Sequence, residues 1–272
     1  MAIRLLFNCY TQTLCKMHFN IKRFGLLFMK HTVEHYRYYL MAWGVLLGII
    51  ALLMGFIIYA EEGGLSVKGQ AVIFALVLIG AGSIFTSTVF SDLGDKKKAI
   101  AALTLPASHL EKYLVGWLFS YLFFQIVYVA SFYLVAYLMV PLDDWGDQKP
   151  QFMPLFTNEN GQITFFVLFA FIHGIAFLGS IFFEKWHFIK TAFIYFLLMI
   201  GFMLLNRVFM ESLLGIELES AVPFSNISLK EGEYYYSVRF PDNWAAWLAV
   251  VPLGCALLLW VTTYFRLREK EV

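Results

Sequence analysis

Six apolar runs, each close to the roughly 20 residues that carry a helix across a bilayer, leave this chain few ways to fold. They cover Tyr39–Tyr59, Ala71–Ser91, Tyr113–Val140, Ile163–Phe183, Phe188–Met210 and Trp244–Phe265. In hydrocarbon no water satisfies the backbone, so each run must close its hydrogen bonds within itself, as a helix does. The alternating ten-residue segments of a membrane β-barrel do not occur. With 60% hydrophobic residues and 14% charged ones, a chain of 272 residues cannot hide its apolar surface in water. These features predict an all-α polytopic membrane protein with six transmembrane helices.

The links set the order of the bundle. Glu61–Gln70 contains Gly63 and Gly64, Pro141–Gln162 has the composition of turns, and Glu184–His187 is short enough to make spans four and five a helical hairpin. The N-terminal segment, the second and fourth links, the near end of span five with Lys190, and the C-terminus together hold 15 Lys/Arg and 7 acidic residues. The remaining links, with the far end of span five, hold 5 Lys/Arg and 12 acidic residues. Positive charge stays inside, so both the N- and the C-terminus are read as cytoplasmic. One transmembrane domain fills the chain: an N-terminal segment 1–38, a six-helix bundle 39–265 and a tail 266–272.

Residues 1–28 lack a continuous apolar core and a small-residue cleavage site, so they do not read as a signal peptide. Met17 and Met29 are alternative starts. From Arg23 to Leu40 the pattern is amphipathic. Leu26, Met29, Val33, Tyr36 and Leu40 form one helical stripe and Arg23, Lys30, Glu34 and Arg37 another. That spacing predicts an amphipathic interfacial helix lying on the inner membrane surface before the chain turns into span one.

Candidate chemistry is sparse. There is no H-E-x-x-H, no G-x-S-x-G and no G-x-x-x-x-G-K-[ST], so the chain carries no P-loop. Cys9, Cys15 and Cys255 show no metal or disulfide spacing. Of six histidines only His173 falls in mid-span, where a lone imidazole usually bonds a neighbouring helix. It has no evident partner in the sequence. Arg207 and Glu211 sit four apart at the end of span five, the spacing of a helical ion pair. Gly44 and Gly48 make a G-x-x-x-G pair, and Gly80 and Gly82 cluster in span two; small residues of this kind permit close helix packing or a dimer contact.

The polar island Asp92–Lys112 is the longest charged interruption on its side. Lys96, Lys97 and Lys98 open a helix-sized stretch that ends at Pro106, since proline disfavours helical geometry in the residue before it. Ser108 with Glu111 three residues on is a capping box for a new helix. The wording Thr104-Leu105-Pro106-Ala107-Ser108, then Glu111-Lys112 and an aromatic span with Trp117, resembles the LPAS-x-x-EK stretch of bacterial ABC-2 type transporter permeases. The layout of six spans, an amphipathic start and a long link before the last span is also similar to that family.

The resemblance implies the membrane subunit of an exporter in a bacterial inner membrane, itself no enzyme and without cofactor. A separately encoded ABC ATPase would power it, and a second permease, identical or not, would complete a dimer. Its partners would be that ATPase and the lipid bilayer, with no nucleic acid. Lys96–Leu105 would be the coupling helix, with Lys96, Lys97, Lys98, Ile100, Leu103 and Leu105 against the ATPase. Substrate would move along the dimer interface; Phe123, Phe124, Phe165, Phe166, Phe182 and Phe183 would suit an apolar or amphipathic cargo, and aromatics facing lipid account for them equally well. The rival readings are a membrane-embedded hydrolase and a non-transporting assembly partner. In the link before the last span, Ser212–Leu218 is apolar enough to dip into the interface, whereas Ser225–Phe240 reads as a β-hairpin or an ordered loop.

Overall fold

The computed structural model describes residues 19–60, 64–90, 99–100, 105–145, 149–155, 162–183, 187–215, 218–220, 227–231, 234–238 and 244–269. Six helices are each long and apolar enough to cross a membrane. They are α1 (Ile21–Ala60), α2 (Val67–Thr88), α3 (His109–Leu142), α4 (Gln162–Phe182), α5 (His187–Leu214) and α6 (Trp244–Glu269). The third is composite. An α-helical start, His109–Trp117, passes through a π-helical turn, Leu118–Phe123, into Phe124–Met139 and a final 3₁₀ turn, Val140–Leu142.

The amphipathic stretch Arg23–Leu40 is helical, and no turn separates it from span one: α1 runs unbroken for 40 residues. At about 1.5 Å per residue that is about 60 Å, twice the hydrocarbon core of a bilayer. Its first half lies along α3 in parallel. Arg23 meets Glu111, Phe28 stacks on Phe119 at 4.8 Å, and the Trp43 indole N–H donates to Ser131 Oγ at 2.9 Å. The row facing α3 is Phe28, His31, His35 and Tyr39, each half-buried. The stripe Leu26, Met29, Val33, Tyr36 and Leu40 faces outward and is exposed.

Aromatic packing fills the middle. Phe74 of α2 is wholly buried, edge-on to Phe132 at 5.0 Å and tilted against Tyr128 at 5.1 Å, and the Tyr128 hydroxyl donates to the Phe74 carbonyl at 2.7 Å. Phe124, Phe165 and Phe166 pack against this core. Phe182 and Phe183 instead lie under the cations of Arg266 and Lys190. A second cluster, Phe90, Tyr113, Phe177, Ile181 and Leu267, closes the end of the bundle that holds the start of α3 and the end of α6. That end, which carries Arg23, Lys112, Arg266 and Arg268, is called the basic end below.

At the opposite end a buried glutamine organises the links. Gln70 Nε2 donates to the carbonyls of Leu65 and Gln151, and its Oε1 accepts from Met153 N–H. Asp143 accepts from the Leu65 amide, and the Tyr133 hydroxyl donates to the Met153 carbonyl. Gly64, at φ +89°, lies against the Trp145 indole, where a Cβ would come within 3.0 Å of the ring and the backbone conformation itself favours glycine.

Beyond α5 the chain forms a small antiparallel sheet, β1 (Leu218–Ser220), β2 (Ile227–Glu231) and β3 (Tyr234–Val238), in that order. The pairing Ile227 to Val238 and Glu231 to Tyr234 is a hairpin, as the sequence of Ser225–Phe240 suggests. Ser212–Leu218 does not form one interfacial segment. Helix α5 continues through Leu214, Gly215 ends it at φ +68° with its amide on the Glu211 carbonyl, and Leu218 begins β1.

The four glycines divide. A Cβ on Gly82 would overlap the rings of Phe169 and Phe124, so Gly82 is a packing glycine between α2 and α4. Gly44, Gly48 and Gly80 meet nothing within 4 Å. Gly82→Ala is therefore expected to destabilise the fold by about 1–3 kcal/mol through overpacking. Gly48→Ala is expected to stay within about 0.5 kcal/mol. Thermal unfolding of both variants in lipid nanodiscs checks this, and equal effects would remove the distinction.

Candidate functional site

The junction where the polar island re-enters the bundle centres on one carboxylate. The Ala107 amide bonds the Leu105 carbonyl at 2.7 Å, a three-residue turn around Pro106. Ser108 follows in extended geometry and caps α3: its Oγ accepts from Glu111 N–H at 3.1 Å, and Glu111 Oε2 accepts from Ser108 N–H at 2.9 Å. Both bonds of the capping box form.

The second oxygen of Glu111 reaches another helix. Oε1 accepts from the backbone N–H of Asn20 at 2.8 Å and from Arg23 Nη2 at 3.1 Å. Asn20 is itself the cap of α1, its Oδ1 accepting from Lys22 N–H at 2.9 Å and more loosely from Arg23 N–H at 3.4 Å. Glu111 has no exposed surface, and a buried carboxylate is tolerated only when paired and hydrogen-bonded. Here it accepts three bonds, one of them from a cation. The caps of α1 and α3 are thereby one structure.

Of the residues assigned to the island, Lys96, Lys97, Lys98 and Leu103 lie outside the described residues. Ile100 is helical and exposed, while Leu105 lies in the bend before Pro106 and is half-buried. Arg207 and Glu211 form their ion pair at 2.9 Å on the exposed flank of α5, far in sequence from this junction.

A second polar centre lies in the middle of the bundle. His173 of α4 is fully buried and does have partners. Trp260 Nε1–H of α6 donates to its Nδ1 at 3.0 Å, and its Nε2 lies 2.9 Å from Ser120 Oγ, in the π turn of α3. An indole nitrogen can only donate, so Nδ1 is the acceptor and the neutral ring carries its proton on Nε2. That proton is donated to Ser120 Oγ, whose own hydrogen goes to the Gly116 carbonyl at 2.8 Å. Tyr121 packs on both the imidazole and the Trp260 indole at 5.0 Å. A Ser–His pair with the proton on the facing nitrogen is not set up for base activation of the hydroxyl.

Neither centre was complete in the sequence. The capping box is local and legible, but Asn20 and Arg23 are about ninety residues from Glu111 and share no motif with it. Ser120 and Trp260 looked like an ordinary span serine and an ordinary span aromatic. Among the described residues no group of three or more His, Cys, Asp or Glu comes together as a metal site. No known family, curated protein or solved structure matches this chain.

Glu111→Ala removes the carboxylate that joins Arg23 to the caps of two helices, and is expected to cost about 3–5 kcal/mol. Ser108→Ala removes a single cap bond and is expected to cost about 1 kcal/mol. Unfolding in nanodiscs, with proteolysis at the start of α1 as a local readout, would contradict the hub if the two variants behaved alike.

Proposed function

We propose that this chain is the membrane-spanning subunit of an ABC-2 type exporter. It moves a substrate outward across a bacterial inner membrane as a dimer of permeases, with both termini inside. A separately encoded ATPase binds and hydrolyses ATP, and this chain receives the motion.

The Glu111 junction is the observation that carries this reading. A coupling link must pass force to more than one helix, or it merely bends the helix it precedes. Here the residue that restarts α3 after the island also binds Asn20 and Arg23 at the start of α1. A push on the island therefore loads spans one and three together, the arrangement a rigid-body switch requires. The hydrolase reading loses its best nucleophile–base pair, because His173 faces Ser120 with an N–H.

The test is to search the adjacent reading frames for a P-loop ATPase and co-purify it with this chain in lipid, then to replace residues 96–105 with a flexible Gly/Ser segment. The ATPase should bind, and its activity in the complex should fall about tenfold or more on replacement, in proportion to lost coupling. Failure to bind any ATPase, or coupling untouched by the replacement, would end the proposal.

A further inference from the structure

Span three is the one span whose helix changes type midway. Among the described residues Leu118–Phe123 is the only π-helical turn. Its wider winding leaves hydrogen bonds shared: Leu118 N–H is split between the carbonyls of Leu114 and Val115, and Phe124 N–H between those of Phe119 and Tyr121. A π turn is less favourable than the α-helix it interrupts, so something outside it must hold it. The directed chain ending on Ser120 does so. Trp260 N–H donates to His173, His173 N–H donates to Ser120, and the Ser120 hydroxyl donates to Gly116 O.

We propose that the π turn Leu118–Phe123 is a two-state joint in span three, and that Trp260, His173 and Ser120 form the latch that holds it wound. Relaxation of the turn to α-helix removes one residue from it. The segment His109–Trp117 then rotates by about 100° and shifts by about 1.5 Å relative to Phe124–Met139. Ser120 belongs to the turn, so the same relaxation swings its hydroxyl away from His173. The bond and the relaxed turn exclude each other, which makes the element bistable rather than gradually deformable.

The moving segment carries Glu111, the shared acceptor for Asn20 and Arg23 of α1, so the bonds of that hub are remade when the joint changes state. It also carries Tyr113, whose hydroxyl donates to the Trp260 carbonyl at 3.0 Å. Trp260 thus grips the joint at two points: its carbonyl holds the segment before the turn, and its indole holds the histidine that holds the turn itself. Span six sets the state of the joint, and the basic ends of α1 and α3 follow it. This assignment does not depend on which partner, if any, drives the island.

Two measurements test it, in nanodiscs of phosphatidylethanolamine and phosphatidylglycerol. In the unaltered protein, ¹⁵N NMR of His173 is expected to report a neutral ring protonated on Nε2; protonation on Nδ1 would overturn the latch, since Trp260 then has nothing to donate to. The second measurement is hydrogen exchange over residues 117–125, with spin-label distances between Leu110→Cys and Leu138→Cys in a background lacking the native cysteines. Trp260→Phe keeps an aromatic ring at the position while removing the donor, and Ser120→Ala removes the acceptor. Both are expected to speed exchange in the π turn about tenfold or more while leaving α2 unchanged, and to add a second distance population. Trp117→Phe, in the same aromatic cluster but outside the chain of bonds, is expected to do neither. Latch variants indistinguishable from the parent, or a Trp117→Phe variant that matches them, would overturn the proposal.

Discussion

A carboxylate with no exposed surface, Glu111, decides how the two longest helices of this protein meet. It is costly where it stands. It persists because three donors converge on it, and those donors are the start of α1, the start of α3 and the guanidinium of Arg23. From that point the two helices run in step: twenty residues further along both, Trp43 bonds Ser131. The long row of Phe28, His31, His35 and Tyr39 against α3 depends on this starting register. The second half of α1 is held by Leu46, Ile50 and Met54 in the core, whereas the apolar stripe of its first half faces away from the bundle, so the hub is what pins its start.

The same economy of polar groups governs the interior and the opposite end. A buried amide or imidazole in an apolar bundle has no water to turn to, and Gln70 and His173 find their partners within the protein. Gln70 spends both ends of its amide on the links around it, and His173 spends both ring nitrogens on helices α3 and α6. These contacts tie elements that apolar packing alone would leave free to slide. Helix α5 shows the contrast. Between Lys190 and the Arg207–Glu211 pair it is mostly apolar, lies mostly exposed, and packs closely near its first turns, where Thr191 sits against Gly179.

Much of this was legible in the chain. The six spans, the capping box at Ser108 and Glu111, the Arg207–Glu211 pair and the hairpin within Ser225–Phe240 all follow from patterns a few residues long. Less was legible where a helix had to choose a face. The stripe of Leu26, Met29 and Val33 read as the apolar side of a helix resting on the membrane surface, and nothing in that pattern singled out the histidine and aromatic row beside it as the face that packs on α3. In a helix that is apolar on several sides, hydropathy cannot rank the faces. Only the partner does.

Length, apolarity and local hydrogen bonding thus belong to the sequence, because a helix in hydrocarbon closes its own backbone and needs no neighbour to form. The tertiary structure decided which polar side chains meet. Glu111 with Arg23, His173 with Trp260 and Ser120, and Gln70 with Gln151 are separated by 50 to 90 residues. Such pairs are selected by the depth and rotation of whole helices, and no short stretch of chain carries that information.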